Sequence, residues 1–127
     1  MRMKKIDALA VSCLILFICA MPSGAWAGRS SVTVEAPAAA EKGSEITVKI
    51  SVAHNGNSRF HHTEWASVKV NGEEVRRWEY SGSNRPESEK FTKEFKIVVN
   101  QPLEIVAEAS CNLHGSAGPG KASVAVK

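Results

Sequence analysis

Thr63-Glu64-Trp65-Ala66-Ser67-Val68-Lys69-Val70-Asn71-Gly72-Glu73-Glu74-Val75-Arg76-Arg77-Trp78 is the stretch that decides the fold. Apolar and polar residues alternate on both sides of Asn71-Gly72, the period of a strand with one buried face. Asn-Gly readily takes the positive φ angles of a type I′ turn, so the two runs are expected to form a β-hairpin. The first run can be phased with Trp65 inward or with Ala66, Val68 and Val70 inward, and a β-bulge would reconcile the two. Trp65, Trp78 and Phe95 are expected to pack in the core, because aromatic strand residues usually pack. The run Glu73 to Arg77 reads as solvated hairpin surface.

Outward from this hairpin the same period of two recurs, and no long helical period competes with it. Strands are expected at Ser31–Ala36, Glu45–Ala53, Thr63–Val70, Glu74–Ser81, Phe91–Val98, Leu103–Ser110 and Lys121–Val126. The segments 37–43, 81–90 and 115–120 are rich in Gly, Pro or Ser and read as loops. Seven short strands in about 100 residues predict an all-β fold, an immunoglobulin-like antiparallel β-sandwich.

The first 27 residues read as an address. Arg2, Lys4 and Lys5 precede an apolar run from Ala8 to Ala20, and Ala25-Trp26-Ala27 puts small residues where a signal peptidase reads. This order predicts a leader, 1–27, cleaved before Gly28, and one domain, 28–127, exported to the periplasm. The apolar run is shorter than the roughly 20 residues that cross a bilayer, so no membrane anchor is expected after cleavage. The leader carries three of the 16 basic residues and one of the 13 acidic ones, leaving 13 against 12. A nearly neutral domain without a Lys/Arg block is not built for nucleic acid.

Cys13 and Cys19 leave with the leader, so Cys111 is the single thiol of the mature chain. In an oxidising compartment a lone cysteine is a buried filler, an intermolecular bridge or a metal ligand. Its neighbours favour the last. The four histidines fall in two segments: His54, His61 and His62 within 53–65, and His114 in Cys111-Asn112-Leu113-His114-Gly115. The spacing Cys-x-x-His lets one turn aim a thiolate and an imidazole at one point, and Gly115 frees the backbone just beyond it. The loop from Asn55 to Phe60 is long enough to bring His54 and His61 round the same centre, and the loops of a sandwich gather at its ends. His54, His61, Cys111 and His114 are therefore the candidate ligands. Iron, zinc and copper all suit such donors, and a closed tetrahedral zinc site stays as open as an iron site with a free position.

Cys111-Asn112-Leu113-His114-Gly115 resembles the C-terminal iron-ligand motif of superoxide reductases, the desulfoferrodoxin and neelaredoxin family. His61-His62-Thr63-Glu64-Trp65 is similar to that family's His-x-x-x-Trp segment, and the likeness runs from about Ser31 to Val126. The resemblance implies a seven-stranded immunoglobulin-like sandwich holding one non-haem iron, with equatorial histidines and an axial thiolate. It also implies one-electron reduction of superoxide to hydrogen peroxide at the position opposite the sulfur. His54, His61 and His114 would be equatorial and Cys111 axial.

Two parts of the family pattern are missing. Gly28-Arg29-Ser30-Ser31-Val32 holds no histidine and no lysine where the family has a Glu-Lys-His segment. Asn55 stands where a proline is usual, the spacing from His54 to His61 is one residue longer, and Ser116-Ala117 replaces an apolar residue and Trp. His62 cannot fill the gap from regular strand geometry, since adjacent residues face opposite ways. It is expected to be an outer or surface residue, with water as the remaining ligand and Arg59 or Lys121 as the nearby positive charge. Glu64 is either an orienting partner or a solvated residue.

Three function classes stay open: a superoxide reductase, a metal-binding or electron-transfer protein without that activity, and a periplasmic interaction module. No Cys-x-x-Cys iron centre accompanies the domain, so the electron donor of the first class must be another protein. No nucleophile setting such as Gly-x-Ser-x-Gly supports a hydrolase. Nothing in the sequence sets the oligomeric state.

Overall fold

In the 45–53 segment Ile46, Val48, Ile50 and Val52 point one way and polar residues the other, the pattern of a strand lying on a core. The computed structural model describes residues 28–127; the leader expected at 1–27 lies outside them. Eight strands run in order: β1 (Ser31–Glu35), β2 (Ala39–Ala40), β3 (Glu45–Ala53), β4 (Thr63–Val70), β5 (Glu73–Glu79), β6 (Lys90–Val98), β7 (Leu103–Cys111) and β8 (Gly120–Val126). They form a three-stranded sheet, β1-β3-β6, and a five-stranded sheet, β2-β8-β7-β4-β5. All pairings are antiparallel except β2 with β8, which is parallel. The expected all-β sandwich is the observed fold.

The seven expected strands are present with ends shifted by a residue or two. β2 is the addition, two alanines inside the segment read as a loop. A two-residue pairing is too short to leave a period in the sequence.

The facing of β4 is settled by bulges. Ala66, Val68 and Val70 are buried, and Thr63 is buried as well, three positions before Ala66. Two residues three apart share a face only if one is inserted between them, and the β4–β7 register does shift between Thr63 and Trp65. Trp65 is consequently not in the core. It lies half-buried on the outer face with the Arg77 guanidinium 4.7 Å above its ring. Trp78 packs against the core from its margin, and Phe95 is buried in it. Asn71 (φ 51°) and Gly72 (φ 85°) both take positive φ, as a type I′ turn requires. β5 is an exposed edge carrying Glu74, Arg77 and Glu79 in mutual ion pairs, charges that discourage pairing with another chain.

Two inward series lead to one end of the sandwich. On β3, the central strand of the small sheet, the series Ile46, Val48, Ile50, Val52 continues to His54. On β7, the central strand of the large sheet, Leu103, Ile105, Ala107 and Ala109 continue to Cys111. Each sheet thus ends its core stripe on a potential metal ligand.

The Tyr80 hydroxyl is buried without a hydrogen-bond partner among the described residues, beside the Phe91 ring. Burial and, secondarily, Glu87 push its pKa from 10.0 up to about 12. The native state therefore holds the proton after the unfolded chain has released it. Stability is expected to be unaffected below pH 10 and to fall as the pH rises from 10 towards 12. Urea denaturation across that range should show the loss in the native protein and its absence in Tyr80→Phe.

Candidate metal centre

His54 is placed by strand pairing to its last residue. Its N–H donates to the Glu89 carbonyl at 3.0 Å, and its ring enters the sandwich end only 3% exposed. Nδ1 lies 2.7 Å from the Gly56 carbonyl, an acceptor only, so Nδ1 carries the hydrogen. The lone pair is then on Nε2, which is buried and has no hydrogen-bond partner among the described residues. Burial holds this ring's pKa below the usual 6.5 and the His61 charge acts in the same direction, outweighing Gly56, Gly28 and Glu89, which raise it. A neutral imidazole with its free nitrogen turned inward is the form a metal ion binds.

The loop 55–62 folds back on itself through paired backbone bonds between Ser58 and His61. This return sets the His61 ring edge-on to His54, with centroids 4.7 Å apart. Gly56 makes the approach possible: at φ +134°, any Cβ there would lie 2.9 Å from His61 Nδ1. Asn112 ties the two ligand-bearing loops together, accepting from the His62 N–H at 3.0 Å and donating to the Phe60 carbonyl at 3.1 Å.

Cys111 ends β7 2% exposed, and its turn is closed by reciprocal Cys111–Gly115 backbone bonds. Gly115 sits at φ +78°, the freedom its place after the motif requires. The Leu113 N–H points at Cys111 Sγ from 3.4 Å. His114 Nδ1 lies 3.9 Å from that sulfur and 3.3 Å from His61 Nε2.

His54, His61 and Cys111 thus place one ligand atom each within 4.8 Å of one another, and His114 joins them through His61 and Cys111. Two nitrogens about 2.1 Å from one ion stand roughly 3 to 4 Å apart. The His61–His114 separation already falls in that range. Exposure increases in the order Cys111 and His54 (buried), His61 (half-buried), His114 (exposed), so the centre is walled by the core and open on the His114 side.

His62 is outside this cluster. It is buried rather than at the surface, and its Nδ1 bonds the Ser58 carbonyl at 3.1 Å. β4 begins only at Thr63, so His61 and His62 both lie in the loop, and that bond turns His62 away. Glu64 is exposed, and the role it plays is to accept the Tyr80 N–H on its carbonyl. Lys121 pairs with Val106, five residues along β7 from Cys111 and so about 16 Å away, too far to supply a charge there. Arg59 is exposed on the ligand loop, its stem against Gly82. The supporting residues Gly56 and Asn112 were not legible in the sequence; Gly between two asparagines signals only a turn.

The desulfoferrodoxin family profile matches residues 28–116. No curated protein matches the chain. Among solved structures, the superoxide reductase (neelaredoxin) from Ignicoccus hospitalis is similar at 19% identity, covering 78% of this chain and 82% of its own, with a TM-score of 0.64. A point variant of the same reductase covers 84% of this chain and 87% of its own at 18% identity and a TM-score of 0.67. The CARDB domain of PF1109 from Pyrococcus furiosus, solved with di-metal ions, reaches 0.60 at 16% identity over 77% of this chain and 87% of its own. At these identities the likeness is one of fold.

Proposed function

Because the chain belongs to the desulfoferrodoxin family, we propose that it is exported, loses residues 1–27, and holds one non-haem iron between His54, His61, Cys111 and His114 to reduce superoxide. The observation that carries this reading is the orphaned, 3% exposed His54 Nε2 beside His61 and Cys111. A buried polar atom left without a partner is costly, and an ion at that point would satisfy it. Zinc or copper would satisfy the same donors.

Bound ferrous iron would supply one electron, which with two protons converts superoxide to hydrogen peroxide. The chain's residues set the conditions for it. Gly56 fixes the His54 tautomer, and the Leu113 N–H donates to Cys111 Sγ and orients it. Core residues close the centre from below, and the open His114 side admits a small anion and two protons. The electron comes from an external donor, and exposed Phe60 (77%) and Leu113 (62%) give that partner apolar surface beside the ligand loops.

A second reading, metal binding or electron transfer without superoxide reduction, is favoured by one observation. Gly28–Ser31 runs past the centre with neither a histidine nor a lysine. Reconstituting the processed protein anaerobically with Fe(II) and mixing it with superoxide distinguishes the two. Oxidation of the iron with stoichiometric hydrogen peroxide and no dioxygen is expected. A ferrous form that binds iron through Cys111 but ignores superoxide would leave the second reading standing.

A further inference from the structure

The N-terminal end of the described chain is fastened to the metal centre. Ser30 N–H donates to the Gly115 carbonyl at 3.2 Å, and the Ser30 carbonyl accepts from Ala117 N–H at 2.9 Å. Ser30 Oγ shares a buried 2.8 Å hydrogen bond with Thr63 Oγ1. These bonds pin the segment to both ligand-bearing regions, just after the Cys-x-x-His turn and just after His61 and His62. Two residues upstream, Gly28 lies on the His114 ring. A Cβ built there would stand 3.1 Å from Nδ1 and 3.4 Å from Cε1 and Cγ. Covalent geometry then puts the Gly28 nitrogen within about 5.6 Å of His114 Nδ1. The carbonyl of the same glycine faces the His54 ring and favours its protonated form, though Nε2 has no hydrogen-bond partner among the described residues. Gly28 therefore sits between the exposed and the buried histidine, on the side where the centre is open.

We infer that the α-amino group of Gly28, released when the leader is removed, is itself a ligand of the centre and takes the place of the absent histidine. This rests on the metal site and the cleavage proposed above. As part of the Ala27–Gly28 peptide bond the nitrogen is a poor donor, because its lone pair is delocalised into the carbonyl. Hydrolysis consumes one water, leaving a carboxylate on Ala27 and an amine on Gly28. That amine titrates ordinarily near about 7.7–8.0, so it gives up one proton to bind a cation. Glycine is suited to the position, since any side chain would press on the His114 ring. The orphaned His54 Nε2 marks the point towards which such a donor would converge. The set becomes four nitrogens and one sulfur, complete only after processing. Metal loading is thereby strengthened in the compartment in which the leader is cut.

The test uses protein exported and processed by the cell, its start fixed by intact mass. One half is treated with pyridoxal phosphate, which converts an N-terminal amine to a carbonyl and spares lysine side chains. Both halves are titrated anaerobically with Co(II), reading the thiolate charge-transfer band and the d–d bands. The band is expected in both, with affinity at least about tenfold weaker and altered d–d bands after treatment, since loss of even an outer partner costs that much. Equal affinities and identical d–d bands would overturn the inference while leaving the Cys111 site intact. A mature start other than Gly28 would overturn it too. A missing thiolate band in both halves would defeat the underlying site, and the inference with it.

Discussion

Cys111→Ser is expected to abolish the thiolate charge-transfer band of the metal-loaded protein and to weaken Fe(II) or Co(II) binding by more than about 100-fold. The size follows from position as much as from ligand type. Outer-shell changes alone cost about 10- to 100-fold, and Cys111 is the one sulfur at the centre among the described residues, buried at the floor of the site and within reach of three imidazoles. Serine is nearly isosteric, so the fold should survive and the effect should be on binding. Spectrophotometric titration against a chelator of known affinity measures it. Retention of the band in the serine variant would show that the sulfur is not a ligand.

The largest effect on stability is expected from Ile50→Ala, a loss of about 2–5 kcal/mol. Ile50 is fully buried at the middle of β3, pairing with Val34 on one side and Lys93 on the other. Removing its side chain leaves a cavity between the two sheets, and a domain of this size has only about 5–15 kcal/mol in total. Lys96→Ala, on the exposed face of β6, should change stability by less than about 0.5 kcal/mol. Urea unfolding of both variants makes the comparison. A small effect at Ile50 would mean that the sheets close over the gap.

The fold was legible because β3 and β7 alternate without a fault and Asn71-Gly72 names its own turn. What was not legible had local causes. The bulge after Thr63 shifts the phase of β4 by one residue, which moved Trp65 from the expected core to a place under Arg77. β2 pairs through two alanines and has no period to read. At the centre, the histidine and cysteine motifs could be seen as pairs, but their convergence depends on Gly56 and Asn112. Those residues act through backbone carbonyls and amides of a loop whose path no spacing rule describes. His62 was expected to stay out of the centre because adjacent strand residues face opposite ways. It does stay out, but from a loop, where a bond to the Ser58 carbonyl holds its ring.

The two core stripes that finish on His54 and Cys111 belong to different sheets, so an ion held by both would act as a rivet across the mouth of the sandwich. The sheets could not part without surrendering it. Resistance to unfolding would then follow the free metal concentration, gaining about 2.7 kcal/mol at one hundred times the dissociation constant. Starvation for the ion would loosen the molecule first at the end that carries the candidate centre.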